Sequence, residues 1–299
     1  MIEYRGFTKR YGTRTVVDRL TLTVPAGAVV ALLGPNGSGK TTSIKAAAGL
    51  IRPDAGDVLL GRERHSARTP RARLTCSFLP QRVSFPDALT GREVVEFYRR
   101  LRGAPVGAAD RVLKFASLNG AGARPVSTYS GGMVQRLGLA VATLGLADVL
   151  LLDEPTAALD PDGLCAFYGL VDERRRAGAA TFFSSHQLGD IERLADRVAV
   201  IVGGTLVAEF TERDIAARLS DRGVMRVRLA SRTPDLLDRV REHSSKAVWF
   251  GDELIIPGPA AARPAMLDLI RNAGGQVTGL TAQEGRLDEF YRDLIGGGS

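Results

Sequence analysis

Residues 32–42 read LLGPNGSGKTT. Upstream, Ala28–Leu33 is a short continuous apolar run, AVVALL, of the kind that forms a strand buried on both faces. Gly34, Gly37 and Gly39 then permit crowded or left-handed backbone and strip away side chains that would block a ligand. From about Lys40 the residues turn helix-forming, through Thr41, Thr42, Ser43, Ile44 and Lys45 to the alanines. A helix start leaves N–H groups unpaired and carries partial positive charge. A strand, a bare loop of Gly34, Pro35, Asn36, Gly37, Ser38 and Gly39, and a helix N-terminus therefore predict a cradle of donors for a polyphosphate. Gly34–Thr41 fits the pattern G-x-x-x-x-G-K-[ST] at every position. In that pattern Lys40 reaches the terminal phosphates and the Thr41 hydroxyl sits on a magnesium ion.

The chain of 299 residues is long enough for one large and one smaller domain, with 44% hydrophobic and 24% charged residues. No apolar stretch approaches the roughly 18 residues of a membrane span, and the start, MIEYRGFTKRYG, lacks the apolar segment of a secretory signal. The two cysteines, Cys76 and Cys165, indicate neither a disulfide framework nor a metal cluster, and both are expected to be small buried apolar residues. A cytoplasmic setting is expected. The net charge of +7 is spread along the chain without a basic block, so it does not by itself call for a nucleic-acid or membrane partner.

Up to about Thr211 apolar strands are predicted at Ala28–Leu33, Val149–Leu152, Thr181–Ser184 and Val198–Val202, with helical stretches between them. This alternation predicts an α/β fold with a largely parallel sheet, whose ligands collect at the strands' carboxyl ends. The tail has a different rhythm. Met225, Val227 and Leu229 alternate with arginines, and Thr233-Pro234-Asp235 reads as a helix start capped by Thr233. AVWFGDELII reads as a hairpin about Gly251-Asp252. A helix with Met266, Leu267 and Ile270, a strand in QVTGL and a last helix with Leu287, Phe290 and Leu294 complete the order β-α-β-β-α-β, that of a ferredoxin-like module. Domains are expected at residues 1–214 and 215–299, with the linker in residues 212–222.

Two further stretches carry chemistry. In VLLLDEP, residues 149–155, an apolar strand ends in Asp153 and Glu154. Two carboxylates beside a buried strand are costly unless a cation compensates; a magnesium ion on ATP does so, with Asp153 holding it through water or directly and Glu154 placed to polarise a water. In YSGGMVQRLGLA, residues 129–140, Ser130 is a candidate N-cap, Gly131 and Gly132 expose backbone donors, and Leu137, Ala140, Val141 and Leu144 form a buried stripe.

In this order the motifs resemble the nucleotide-binding subunit of an ATP-binding-cassette (ABC) transporter across residues 1 to about 210. Gly34–Thr42 is similar to the Walker A loop, YSGGM to the signature LSGGQ, and Asp153-Glu154 to Walker B. Tyr11, in KRYG, matches the aromatic that stacks on adenine; Gln81, in FLPQ, the Q-loop glutamine; Ala158–Asp160 the D-loop; and His186, in SSH, the switch histidine. The resemblance implies a P-loop ATPase with a helical signature subdomain, acting as a homodimer. ATP lies between the Walker A loop of one copy and Ser130, Gly131, Gly132, Met133 and Asp160 of the other. Thr41, Gln81 and Asp153 are implied to surround Mg²⁺, Glu154 to act as base, Lys40 and His186 to contact the γ-phosphate, and Gln81 to link the nucleotide to a separate membrane permease. Two positions depart from the family: Tyr129 stands for leucine and Met133 for glutamine.

The appended module and the signature resemble ATPases that serve ABC-2-type permeases, largely exporters. FLPQRVSFPDALTGREVVEFYRRLRG is similar to the ATPase of nitrous-oxide-reductase maturation transporters, and multidrug export fits nearly as well. A soluble ABC ATPase of nucleic acid or the ribosome is the alternative. It fits less well, because a single Walker A occurs and no long heptad segment separates it from the signature. His65 and His243 are read as surface residues.

Overall fold

The computed structural model describes residues 1–145, 147–157 and 159–296, so the D-loop residue Ala158 and the terminal Gly297 and Gly298 lie outside it. Its contacts divide the chain into two units, Met1–Phe210 and Thr211–Ser299.

The first unit opens with strands β1 (Ile2–Tyr11) and β2 (Arg14–Val24), paired antiparallel around a tight turn at Gly12. Strand β3 (Val29–Leu33) follows, then helix α1 (Lys40–Ala47), β4 (Ala55–Leu60), the short β5 (His65–Ser66), helix α2 (Pro70–Leu74) and β6 (Cys76–Leu79). Helices α3 (Gly91–Leu101), α4 (Ala108–Phe115) and α5 (Gly131–Thr143) come next. The unit then alternates through β7 (Val149–Asp153), α6 (Pro161–Arg176), β8 (Ala180–Ser185), α7 (Leu188–Leu194) and β9 (Arg197–Val202), ending with β10 (Thr205–Thr211).

Two sheets result. A six-stranded sheet runs β10-β9-β3-β8-β7-β6, with β9, β3, β8, β7 and β6 parallel. Strands β3, β7 and β8 are buried at every position, as strands covered on both faces must be. A four-stranded antiparallel sheet, β2-β1-β4-β5, accompanies it. The sequence reading did not foresee this second sheet. Its two long strands are irregular: β1 pairs with β2 through three register shifts, which breaks the simple alternation by which strands are recognised. One core cluster packs Ile2, Tyr4 and Phe7 of β1 with Ile44 of α1 and Phe182 of β8, and the Tyr4 hydroxyl donates to the Ser43 carbonyl at 2.8 Å. A second cluster joins α3, α4 and α5 through Val94, Val95, Leu113, Leu137 and Ala140.

The second unit comprises α8 (Glu212–Asp221), β11 (Val224–Leu229), α9 (Leu236–Arg241), β12 (Val248–Phe250), β13 (Glu253–Pro257), α10 (Arg263–Asn272), β14 (Val277–Gln283) and α11 (Leu287–Gly296). Its sheet runs β12-β13-β11-β14, with every neighbour antiparallel. Met225, Val227 and Leu229 face a core with Leu236, Val240, Leu254 and Ile270. Two local expectations are corrected. Residues 212–221, read as linker, are helical because Thr211 and Asp214 form a reciprocal capping box. Thr233 does not cap α9. Its carbonyl accepts from Leu236 N in a tight turn, Asp235 takes a left-handed φ of 59°, and the helix begins only after it.

Candidate nucleotide site

The sheet order places β8 between β3 and β7, with β6 beyond β7. The loops leaving the carboxyl ends of these four neighbours therefore converge. They carry residues 34–39, Gln81, Asp153-Glu154 and His186, around a cavity of about 480 Å³ lined by Asn36, Gly37, Gly39, Lys40, Thr41, Thr42, Gln81, Glu154 and His186. Val16 of β2 also lines it; an apolar residue on an unforeseen strand gave no sequence signal.

At Gly34 and Gly39 a side chain does not fit. A Cβ on Gly34 meets the Ile201 carbonyl at 2.2 Å and Ser38 Oγ at 2.6 Å. Gly39, the N-cap of α1 at φ 104°, leaves 2.8 Å between its would-be Cβ and the Val16 carbonyl. Gly37 also has a left-handed φ, 79°. Lys40 is 5% exposed and folds back over the loop, its Nζ donating to the carbonyls of Gly34 at 2.7 Å and Pro35 at 3.2 Å. Burial pulls its ammonium below the ordinary lysine range, opposed by the charges of Glu154 and Asp153.

Asp153 is fully buried. Its Oδ1 accepts from Ser184 Oγ at 2.7 Å and Thr41 Oγ1 at 3.1 Å. Its Oδ2 is buried without a hydrogen-bond partner. Burial pushes this carboxyl above the usual range, against the pull of the two hydroxyls. A buried oxygen left unsatisfied is costly, and a carboxylate oxygen beside a hydroxyl is the donor set a hard cation accepts. The residues present therefore fit a magnesium ion.

Glu154 holds a left-handed φ of 47°, a conformation that costs a non-glycine residue about 1–2 kcal/mol. Its N–H donates to Ser184 Oγ at 2.9 Å, so Ser184 holds both the Asp153 carboxylate and the Glu154 backbone. The sequence signal for Ser184 was available: two serines ending an apolar strand before His186. Gln81 Nε2 donates to Glu154 Oε2 at 2.8 Å, and His186 Nδ1 lies 3.5 Å from the same oxygen. Tyr11 does not line the cavity. Its ring is half exposed, with the Lys9 ammonium 5.3 Å from its centroid.

The profile of the ABC transporter family matches residues 17–157. The daunorubicin/doxorubicin resistance ATP-binding protein DrrA of Streptomyces peucetius is 37% identical over 233 residues, covering 76% of this chain and 70% of that protein. The chain belongs to the ATP-binding subunits of ABC transporters. The linearmycin resistance ATP-binding protein LnrL of Bacillus subtilis (strain 168) is 26% identical over 99% of this chain and 98% of its own length. A solved ATP-binding subunit of an ABC transporter superposes with a TM-score of 0.67 at 26% identity, over 73% of this chain and 92% of that one. As a member of this family, the chain is an ATPase.

Within this ABC ATPase the signature segment stands apart from the cavity, at the start of α5. Ser130 caps that helix, accepting from Met133 N at 3.3 Å, and Gly131 is exposed. Both departures from the family serve packing. Tyr129 donates its hydroxyl to the Ala121 carbonyl at 2.8 Å and occupies the space that Gly91, at the start of α3, leaves open. Met133 packs against the helical cluster. Asp160 caps α6, accepting from Gly163 N at 2.9 Å, and lies 3.5 Å from Arg136 of α5. Cys165 is exposed, correcting the expectation that both cysteines are buried: it lies on the outward face of α6, whose inward face carries Phe167, Leu170 and Val171. Among the described residues no helix is long and apolar enough to cross a membrane.

Proposed function

We propose that this chain binds and hydrolyses Mg·ATP to drive an export-type permease made by a separate membrane protein. The observation that carries the reading is the unpartnered Oδ2 of buried Asp153, whose Oδ1 accepts from Thr41, a residue lining the cavity that also presents Lys40 and Glu154.

In this reading the triphosphate occupies the cradle of residues 34–42, with Lys40 leaving the Gly34 and Pro35 carbonyls for the β- and γ-phosphates. Thr41 and Asp153, with Gln81 alongside, hold magnesium, which neutralises phosphate charge when bound. Glu154 orients the attacking water and accepts its proton, and His186 contacts the γ-phosphate. Tyr11, exposed outside the cavity's lining, stacks on adenine. A second copy supplies Ser130, Gly131, Gly132, Met133 and Asp160, which lie away from this copy's cavity and need a partner to meet nucleotide. Hydrolysis then takes place at the inner face of the cell membrane. Export is favoured over copper-site maturation by relatives named for drug resistance and, at 38% identity over 212 residues, for Nod factor export in Burkholderia lata.

The test is phosphate release and ATP binding by the full-length chain and its Glu154→Gln variant. The variant should retain ATP while turnover falls about 10²-fold or more, the lower end of general-base contributions. Wild-type turnover in the variant removes Glu154 from the role. Co-purification of a polytopic membrane protein from the native cell supports the permease assignment.

A further inference from the structure

We propose that Asp190 is a positioning residue for hydrolysis, a buried carboxylate that fixes the distance between the loop carrying Glu154 and the loop carrying His186. Asp190 lies in α7 and is 3% exposed. Its Oδ2 accepts from Thr156 Oγ1 at 2.5 Å and from Ser185 Oγ at 3.2 Å. Its Oδ1 accepts from Tyr168 of α6 at 2.9 Å. Thr156 stands two residues after Glu154, and Ser185 immediately precedes His186. One carboxylate oxygen thus gathers a hydroxyl from each loop, while the other is anchored to the helix behind them.

The hydrogen bonding of Ser185 makes the anchor specific. Ser185 Oγ already accepts from Gln187 N at 2.9 Å, so its single proton is directed outward, toward Asp190 Oδ2 or the Gln187 carbonyl. Thr156 similarly needs an acceptor to hold its loop. A carboxylate is acceptor-only and takes both protons on one oxygen; charged acceptors make the stronger bonds. Removing it takes the acceptor from buried Thr156, leaves Ser185 only the Gln187 carbonyl of its own loop, and so frees the two loops to drift apart. The separation at stake is the 3.5 Å between His186 Nδ1 and Glu154 Oε2. Neither Asp190 nor its three partners lines the nucleotide cavity, so the residue acts through its neighbours and not on the nucleotide.

This inference rests on the roles proposed for Glu154 and His186, and the test separates the two. ATP turnover at saturating Mg·ATP, ATP affinity and melting temperature are measured for Asp190→Ala, Asp190→Asn, His186→Ala and the Asp190→Ala/His186→Ala double variant, all in the full-length chain. Asp190→Ala should lower turnover by about tenfold to 10²-fold, the range for misplaced catalytic groups, with ATP affinity unchanged within about twofold. Asp190→Asn, which keeps one acceptor oxygen, should recover part of the loss. The double variant should turn over no more slowly than His186→Ala alone. If His186→Ala is impaired but Asp190→Ala is not, or if the two losses multiply, the positioning role is overturned while the site assignment stands. A melting temperature lowered with turnover unchanged assigns Asp190 to stability alone and also overturns it. If His186→Ala keeps wild-type turnover, the site assignment falls and the inference falls with it.

Discussion

Gln81 Nε2 donates to Glu154 Oε2 at 2.8 Å, and His186 Nδ1 stands 3.5 Å from that same oxygen. One carboxylate oxygen is therefore approached from two loops, after β6 and after β8, and hydrogen-bonded from the first. Removing Gln81 loosens the Glu154 carboxylate but leaves it in the site. A hydrogen bond to a charged group contributes about 1.5–3 kcal/mol, and each 1.4 kcal/mol of lost orientation is about tenfold in rate. Gln81→Ala is expected to reduce turnover by about tenfold, less than Glu154→Gln does. Steady-state phosphate release decides it; a loss as large as that of Glu154→Gln means Gln81 does more than orient.

Asp153 combines full burial with an oxygen that has no partner. Asparagine fits the same space and keeps Oδ1 for Ser184 and Thr41, while an amide is far cheaper to bury than a charge. Asp153→Asn should thus stabilise the nucleotide-free protein by about 1 kcal/mol, or about 2–4 °C in melting temperature for a domain of this size. The stabilisation that wild type gains from Mg·ATP, about 2.7 kcal/mol at a hundredfold excess over Kd, should shrink sharply. Thermal melts with and without Mg·ATP test both signs. An apo protein destabilised by the change means that Oδ2 is not a metal-ligand position.

What the sequence revealed tracks what is local. The loop of residues 34–42 and the Asp153-Glu154 pair were legible because a short run of residues carries the whole signal: bare backbone, one cation, an apolar strand ending in charge. The tail's β11 was legible from strict alternation and the β12–β13 hairpin from Gly251-Asp252. The antiparallel sheet of β1, β2, β4 and β5 was not, because its bulged pairing scrambles the period of two. Asp190 was missed for another reason. It acts by touching a residue tens of positions away, Thr156, and such a contact has no spacing to read. Cys165 was misread because a lone small residue in a helix does not announce its face.

Burial, then the hydrogen bond and charge of Asp190, push the Tyr168 phenol up to about 12 from its ordinary 10.0. The unfolded chain releases that proton near the ordinary value, and the folded chain keeps it until the raised one. Between these pH values the folded state binds more protons, so stability falls as pH rises through the window; below it the contribution is complete. The difference in phenolate absorbance between wild type and Tyr168→Phe should titrate near 12, and in an Asp190→Ala background it should move back toward the ordinary value. A wild-type difference already centred at the ordinary value rules out the buried contact.

Tyr129 and Gly91 define a pair in which each residue requires the other. A Cβ on Gly91 comes within 2.2 Å of the Tyr129 hydroxyl, which is itself committed to the Ala121 carbonyl. Gly91→Ala alone must displace that ring or α3, an overpacking cost of about 1–3 kcal/mol. Tyr129→Leu alone loses the hydrogen bond, about 1 kcal/mol, and opens a void beside α3. In the double variant the added methyl enters the space the phenol has left, so the combined destabilisation should fall below the sum of the two single effects by about 1 kcal/mol or more. Denaturant unfolding of the four proteins in the cycle measures the coupling. Simple additivity shows that the ring and the glycine do not share this space, and that the departure from leucine at position 129 has another cause.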